Sequence, residues 1–179
     1  MERYLLLDRD GVICVRQDAP IKTANDFLFL PHVFEALEIL AREEYKVIVL
    51  HNQEGGELDP EITNEILEKM NALIEENNGS ILDVLVCSKP GSEDWFPQPG
   101  LLRKAAGKHG FELSRTFFIG ARLECIQAGW AAGCRTAFVR SGKPFKTVQA
   151  LQKSERQPDL NTRDLFSLVH QIIKESSSR

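Results

Sequence analysis

Tyr4-Leu-Leu-Leu-Asp8-Arg9-Asp10-Gly11-Val12 is the stretch on which the fold turns. A short apolar run of strand length ends in two carboxylates that flank one residue, and Gly11 lets the chain turn away at once. A second run, Lys46-Val-Ile-Val-Leu50, is continuous and β-branched, as a strand buried on both faces should be, and it passes directly into His51-Asn52-Gln53. Between the two, Pro31 to Arg42 places Val33, Phe34, Leu37 and Leu40 on one helical face. Strand, helix, strand at this spacing predicts a βαβ unit and a parallel sheet.

The alternation continues outward. Asp59-Pro60-Glu61 has the N-cap, first-turn proline and acidic residue of a helix start, and Asn77-Asn78-Gly79 the residues of its end. Strands are expected at Ile81–Val86, Thr116–Ile119 and Arg135–Val139, and helices at Leu101–His109, Leu123–Ala132 and Leu165–Ile173. The fold class is α/β: a single Rossmann-like domain with a central parallel sheet and helices on both faces. It should occupy residues 1–175, with a polar tail at 176–179 that frays.

Composition sets the outer bounds. The 179 residues suffice for one sizeable core and fall short of two ordinary domains. An apolar fraction of 42% with 27% charged residues excludes disorder, and a net charge of −4 without a basic run argues against nucleic acid as a partner. Apolar stretches such as Val47–Leu50 fall far short of the roughly 20 residues that span a bilayer, so no membrane segment is expected. The strand pattern starting at Tyr4 leaves no room for a signal peptide, and the expected location is cytoplasmic. Cys14, Cys87, Cys125 and Cys134 are spaced singly, without a zinc-type pair, and read as reduced buried thiols.

In open parallel sheets, ligands bind beyond the carboxyl ends of the strands, so the residues that follow each strand carry the functional reading. Asp8 and Asp10 are spaced to hold a hard cation while one attacks a phosphoryl group and the other protonates the leaving alcohol; a capped turn is the bland alternative. His51, Asn52 and Gln53 stand where a phosphate would need donors. The loop Cys87 to Gly100 holds three of the eight prolines and follows a strand, which makes it a functional candidate.

With Asn52-Gln53 set behind Asp8-Arg9-Asp10-Gly11, the sequence resembles the haloacid dehalogenase (HAD) superfamily. Within it the likeness is to the branch of D-glycero-D-manno-heptose 1,7-bisphosphate phosphatases and histidinol-phosphate phosphatases. The likeness extends through Leu30-Pro-His-Val-Phe-Glu-Ala-Leu, Tyr45 to Gln53, Pro97-Gln-Pro-Gly-Leu-Leu and Ile119-Gly-Ala-Arg-Leu-Glu-Cys-Ile-Gln-Ala-Gly129. It implies a capless phosphatase in which Asp8 forms an aspartyl-phosphate, Asp10 is the general acid and base, and both ligate Mg2+, Asp10 through its backbone carbonyl. The implied ligand is a small phosphorylated metabolite.

The chain also departs from that pattern. His51 replaces a Thr or Ser, Trp95-Phe96 replace an Arg-Lys pair, and Ala121 and Cys125 replace the two acids of a Gly-Asp-x-x-x-Asp motif. Only Cys87 remains of the family's zinc loop, so no zinc is expected. Mg2+ binding should be weak, because one carboxylate ligand is lost, and the loss of the lysine should slow turnover. Glu124 is a candidate replacement metal ligand, Lys89 a candidate replacement for the lysine, and Arg122 a candidate grip on phosphate. His51 is a candidate phosphate contact when protonated. Two readings stay open: a Mg2+-dependent phosphomonoesterase of weakened activity, and a non-catalytic relative that senses a phospho-ligand or binds a protein partner. A receiver domain phosphorylated on Asp8 would leave Asn52-Gln53 and the Pro-Gln-Pro-Gly loop without a role.

Overall fold

The computed structural model describes residues 2–17, 21, 23–53, 60–142 and 144–177. In chain order the elements are β1 (Arg3–Asp8), α1 (Val33–Arg42), β2 (Tyr45–Asn52), α2 (Pro60–Glu76), β3 (Asp83–Cys87), α3 (Gly100–His109) and β4 (Phe117–Gly120). They continue with α4 (Leu123–Ala132), β5 (Arg135–Val139), α5 (Phe145–Gln152), β6 (Leu160–Thr162) and α6 (Leu165–Ser177). The strands form one sheet in the order β3-β2-β1-β4-β5-β6, and every pairing is parallel. The expected α/β class and doubly covered parallel sheet are therefore present.

Alternation along the central strands feeds two cores. Leu5 and Leu7 of β1 and Val47 and Val49 of β2 pack with Leu37, Leu40, Met70 and Leu168 from α1, α2 and α6. Leu6, Ile48 and Leu50 face the other way, against Leu102, Ala105 and Ala128 from α3 and α4. Fixing both neighbours of β1 fixes the site: Asp8 pairs in register with Leu50, and Leu7 with Ile119. The strand order reverses direction between β1 and β4, the place where such sheets open a crevice for ligands.

Several boundaries differ from the sequence reading. His32 takes a left-handed conformation, φ 61°, so α1 starts at Val33 rather than Pro31. The third strand covers Asp83–Cys87 rather than Ile81–Val86. Helix α5 and strand β6 have no counterpart in the sequence pattern. Helix α6 runs to Ser177 rather than Ile173, and Ser176 bonds to the Tyr45 hydroxyl and the Ile172 carbonyl; residues 178–179 of the expected tail lie outside the described residues. The expected N-cap Asp59 lies outside the described residues. No helix among the described residues is long and apolar enough to cross a membrane.

Candidate active site

The turn after β1 is built by its own backbone. The amides of Ile13 and Cys14 both donate to the Arg9 carbonyl, at 2.9 and 3.1 Å, and Gly11 adopts φ +83°, which its missing Cβ makes inexpensive. The Ser141 hydroxyl, just beyond β5, donates to the Gly11 carbonyl at 2.7 Å and ties the two strand ends together. Asp8 is thereby held at the end of the central strand with 0% of its surface exposed.

Both Asp8 oxygens are engaged. Oδ1 accepts the Arg9 amide at 2.9 Å, and Oδ2 accepts the Cys125 thiol at 3.0 Å and the Arg122 guanidinium at 3.4 Å. Helix α4 can approach this closely because residue 120 is glycine: a Cβ there would stand 2.4 Å from that of Cys125. Burial raises the Asp8 pKa above the usual carboxylate range, and the Arg122 charge only partly opposes it.

Asp10 is held differently. Its Oδ1 accepts Arg9 Nε at 2.8 Å and the Cys14 thiol at 3.2 Å, while Oδ2 lies 3.8 Å from His51 Nδ1. Burial disfavours this carboxylate as well. The neighbouring imidazole and Arg9 outweigh burial and hold the Asp10 pKa well below the ordinary value. At neutral pH the cation among them is Arg9, because burial and the nearby guanidinium push the His51 pKa down to about 3. A protonated His51 is therefore disfavoured in this arrangement: the ring is buried, with Nε2 3.3 Å from Gln53 Oε1.

The structure brings the buried Asp8, His51, Asn52, Gln53 and Arg122 together with the half-buried Asp10 at the sheet's carboxyl edge. Among the described residues, His51 Nδ1 and Asn52 Oδ1 are buried there with no hydrogen-bond partner, polar valences left over for a ligand. Glu124 and Lys89 are not brought in. Glu124 is exposed on the first turn of α4, where the adjacent Cys125 takes the inward position, and Lys89 is exposed in the turn after β3. Phe96 is 2% exposed and packs 5.4 Å from Phe118, within the core beneath α3, with Trp95 against the same cluster. The pair therefore packs the loop onto the core beneath α3.

Sequence reasoning missed three members of the group. Arg9 stands between the two acids, and Cys14 and Cys125 donate to one acid each. Arg9 carried a signal, a cation within Asp-x-Asp, and Cys125 carried one in standing at an acid position of the family motif, although its contact with Asp8 spans 117 positions; Cys14 carried none.

A magnesium ion, which the family resemblance implies, finds a poor donor set here. Among the described residues no three His, Cys, Asp or Glu side chains are grouped to hold a metal. Ala121, where the family carries a ligand, is buried as a methyl: a Cβ on Gly11 would come within 2.9 Å of it and one on Gly142 within 3.3 Å. A separate cavity of about 670 Å³ opens at the other end of β1 and β4, lined by Arg3, Tyr45, Phe111, Arg115 and Arg135, and shares no residue with the Asp8 group.

The comparisons with known proteins agree with this geometry. Residues 96–168 match the HAD-hydrolase-like family. A D-glycero-beta-D-manno-heptose-1,7-bisphosphate 7-phosphatase from Pseudomonas aeruginosa is 30% identical over 80% of this chain and 84% of its own length. The enzyme of the same name from Bordetella bronchiseptica is 27% identical over 97% of this chain and 99% of its own. The crystal structure of the B. bronchiseptica D,D-heptose 1,7-bisphosphate phosphatase, complexed with magnesium and phosphate, superimposes with a TM-score of 0.90 at 26% identity, covering 97% and 99% of the two chains. With the strand-end acids, the sheet order and these likenesses in accord, the chain belongs to the HAD-like hydrolases, in the family of the heptose 1,7-bisphosphate 7-phosphatases.

Proposed function

We propose that this chain binds the phosphoryl group of a small phosphorylated sugar, of the heptose bisphosphate kind for which its relatives are named, and hydrolyses it only slowly. The observation that carries the reading is the buried Arg122 guanidinium set against Asp8 at the strand ends, a cation placed where an incoming phosphoryl group would lie. Asn52 Oδ1 and His51 Nδ1 offer further polar valences beside it.

Slow turnover follows from the states of the two acids. In hydrolysis through Asp8, a carboxylate oxygen bonds to phosphorus as the ester P–O bond breaks, and the leaving alkoxide takes a proton from Asp10. Water then cleaves the aspartyl-phosphate with Asp10 as base. Here the attacking oxygens are already engaged by Arg9, Cys125 and Arg122. The Asp10 pKa is held low by its neighbours, which makes its proton-giving form scarcer than that of an ordinary aspartate.

The same observations favour a second reading, a non-catalytic phospho-ligand sensor or partner-binding subunit. Phosphate release from heptose 1,7-bisphosphate and histidinol phosphate, measured beside ligand binding on wild type and Asp8→Asn, separates them. Slow release that Asp8→Asn abolishes supports the first reading. Binding without release, retained in Asp8→Asn, supports the second. Absence of both refutes a phosphoryl site.

A further inference from the structure

We propose that Ser141 is a positioning residue for the phosphoryl site: its hydroxyl ties the turn after β1 to the end of β5 and so sets where the Asp10 carboxylate stands relative to Asp8. The inference rests on the reading that the strand ends bind a phosphoryl group, and it separates what holds that group from what aligns the second acid.

The two acids depend on different parts of the fold. Asp8 is the last residue of β1, paired in register with Leu50 of β2, and its oxygens accept the Arg9 amide, the Cys125 thiol and the Arg122 guanidinium. The sheet and α4 therefore hold it. Asp10 lies beyond the strand. Its Oδ1 accepts Arg9 Nε and the Cys14 thiol, while the Gly11 amide donates to the Cys14 carbonyl at 2.7 Å and the Ile13 and Cys14 amides donate to the Arg9 carbonyl. These bonds all lie within residues 9–14. They fix the Asp10 carboxylate to its own turn and leave the placing of that turn over the sheet to contacts from elsewhere.

The far limb of the turn is anchored by burial, with Val12 and Ile13 in the core. Gly11 is held from another strand, since the Ser141 hydroxyl donates to its carbonyl at 2.7 Å across 130 positions. Ser141 is itself placed by the residue before it: the Arg140 amide donates to the Thr162 and Arg163 carbonyls, both at 3.1 Å. Packing seats the same contact. A Cβ on Gly142 would stand 3.3 Å from that of Ala121 and 3.4 Å from Gly11 Cα, and one on Gly11 would stand 2.9 Å from Ala121 Cβ. The loops after β1, β4 and β5 thus meet closely, and the Ser141 bond fixes the direction of the Gly11 carbonyl within that contact. The dihedrals of a glycine are soft, so loss of the bond would let the turn rock and carry Asp10 with it. Misplacing a reacting group by about 1 Å costs on the order of 10²-fold in rate.

The test is calorimetric titration with inorganic phosphate and with vanadate in millimolar Mg2+. Phosphate reads the anion site alone. Vanadate takes a fifth oxygen ligand and sets an oxygen opposite Asp8, where the leaving alcohol would depart beside Asp10, so its advantage over phosphate reads the alignment of that acid without requiring turnover. Wild type should bind vanadate at least about tenfold more tightly than phosphate. Ser141→Ala should keep phosphate within about twofold and lower the vanadate advantage at least about fivefold, and Ser141→Thr, which keeps the hydroxyl, should retain it. Should Ser141→Ala not fold, Gly142→Ala carries the same comparison, because its methyl presses on the same turn. An unchanged vanadate advantage in the variant, or none in wild type, would overturn the inference and leave the phosphoryl-site reading standing. Equal loss of both anions would also overturn it, by giving Ser141 a purely structural role. A wild type that binds neither anion would overturn that reading and the inference with it.

Discussion

Separating Asp8 from Arg122 offers a quantitative check on the buried centre. At 3.4 Å, with an effective dielectric of about 20, the two charges attract with a gross energy of about 5 kcal/mol. Desolvation of both groups takes back most of that, and a hydrogen bond to a charged group retains a net worth of about 1.5–3 kcal/mol. Urea denaturation of wild type, Asp8→Asn, Arg122→Gln and the double variant at neutral pH should therefore give a coupling energy in that range. The coupling should also depend on pH in a defined direction. Because burial raises the folded Asp8 pKa above its unfolded value, proton binding at Asp8 favours the folded state. That stability is fully present below the unfolded pKa and is lost as pH rises through the folded one. Acidification thus neutralises Asp8 before an ordinary aspartate would titrate, and the coupling to Arg122 should shrink over the same window. A coupling energy below about 0.5 kcal/mol, or one equal at neutral and acid pH, would refute the argument that a charged pair is held at the end of β1.

Three other outcomes follow from the geometry. Because the folded His51 pKa is about 3, its ring signals should not titrate around the free-imidazole value of about 6.5, and His51 should cost the fold stability as pH falls from there toward 3; an NMR midpoint near 6.5 would contradict this. Phe96→Lys, which would restore the family's residue type, should lower stability by at least about 3 kcal/mol in denaturant, since it removes a core ring and buries an ammonium; an unchanged midpoint would show that the loop can turn residue 96 toward Asp8. Asp83 has its pKa lowered by bonds from Lys108 and His109 that outweigh its desolvation, so its contribution is present at neutral pH and lost as pH falls through the folded pKa. Asp83→Asn should cost no more than about 1 kcal/mol at neutral pH and flatten the acid limb of stability, and an unaltered acid limb would rule that out.

The sheet was legible where burial is complete. Leu5–Leu7 and Val47–Leu50 are apolar at every position because both faces are covered, and Arg135–Val139 was placed at its exact ends. Strand β6 escaped because it is three residues long and its middle residue, Asn161, is exposed. Helix α5 escaped because its eight residues bury only Thr147 and Leu151. At the site, Asp8, Asp10 and Asn52 were readable from their position after strands. The state of His51 was not, since whether an imidazole is charged depends on burial and on Arg9, neither of which a motif records. Glu124 and Cys125 show the limit most plainly: adjacent on one helix, they differ by a rotation of about 100°, and that rotation sends the thiol inward and leaves the carboxylate outside.

The contact between Cys125 and Asp8 also makes this centre observable by chemistry that has nothing to do with phosphate. A thiol with no exposed surface, and with its proton committed to a carboxylate, is inert to alkylating reagents while the strand end stays closed. Its rate of labelling, in a chain whose Cys14, Cys87 and Cys134 have been replaced, is then a clock for the opening of the β4–α4 junction. A ligand that settles beside Asp8 would slow that clock whether or not it is ever hydrolysed.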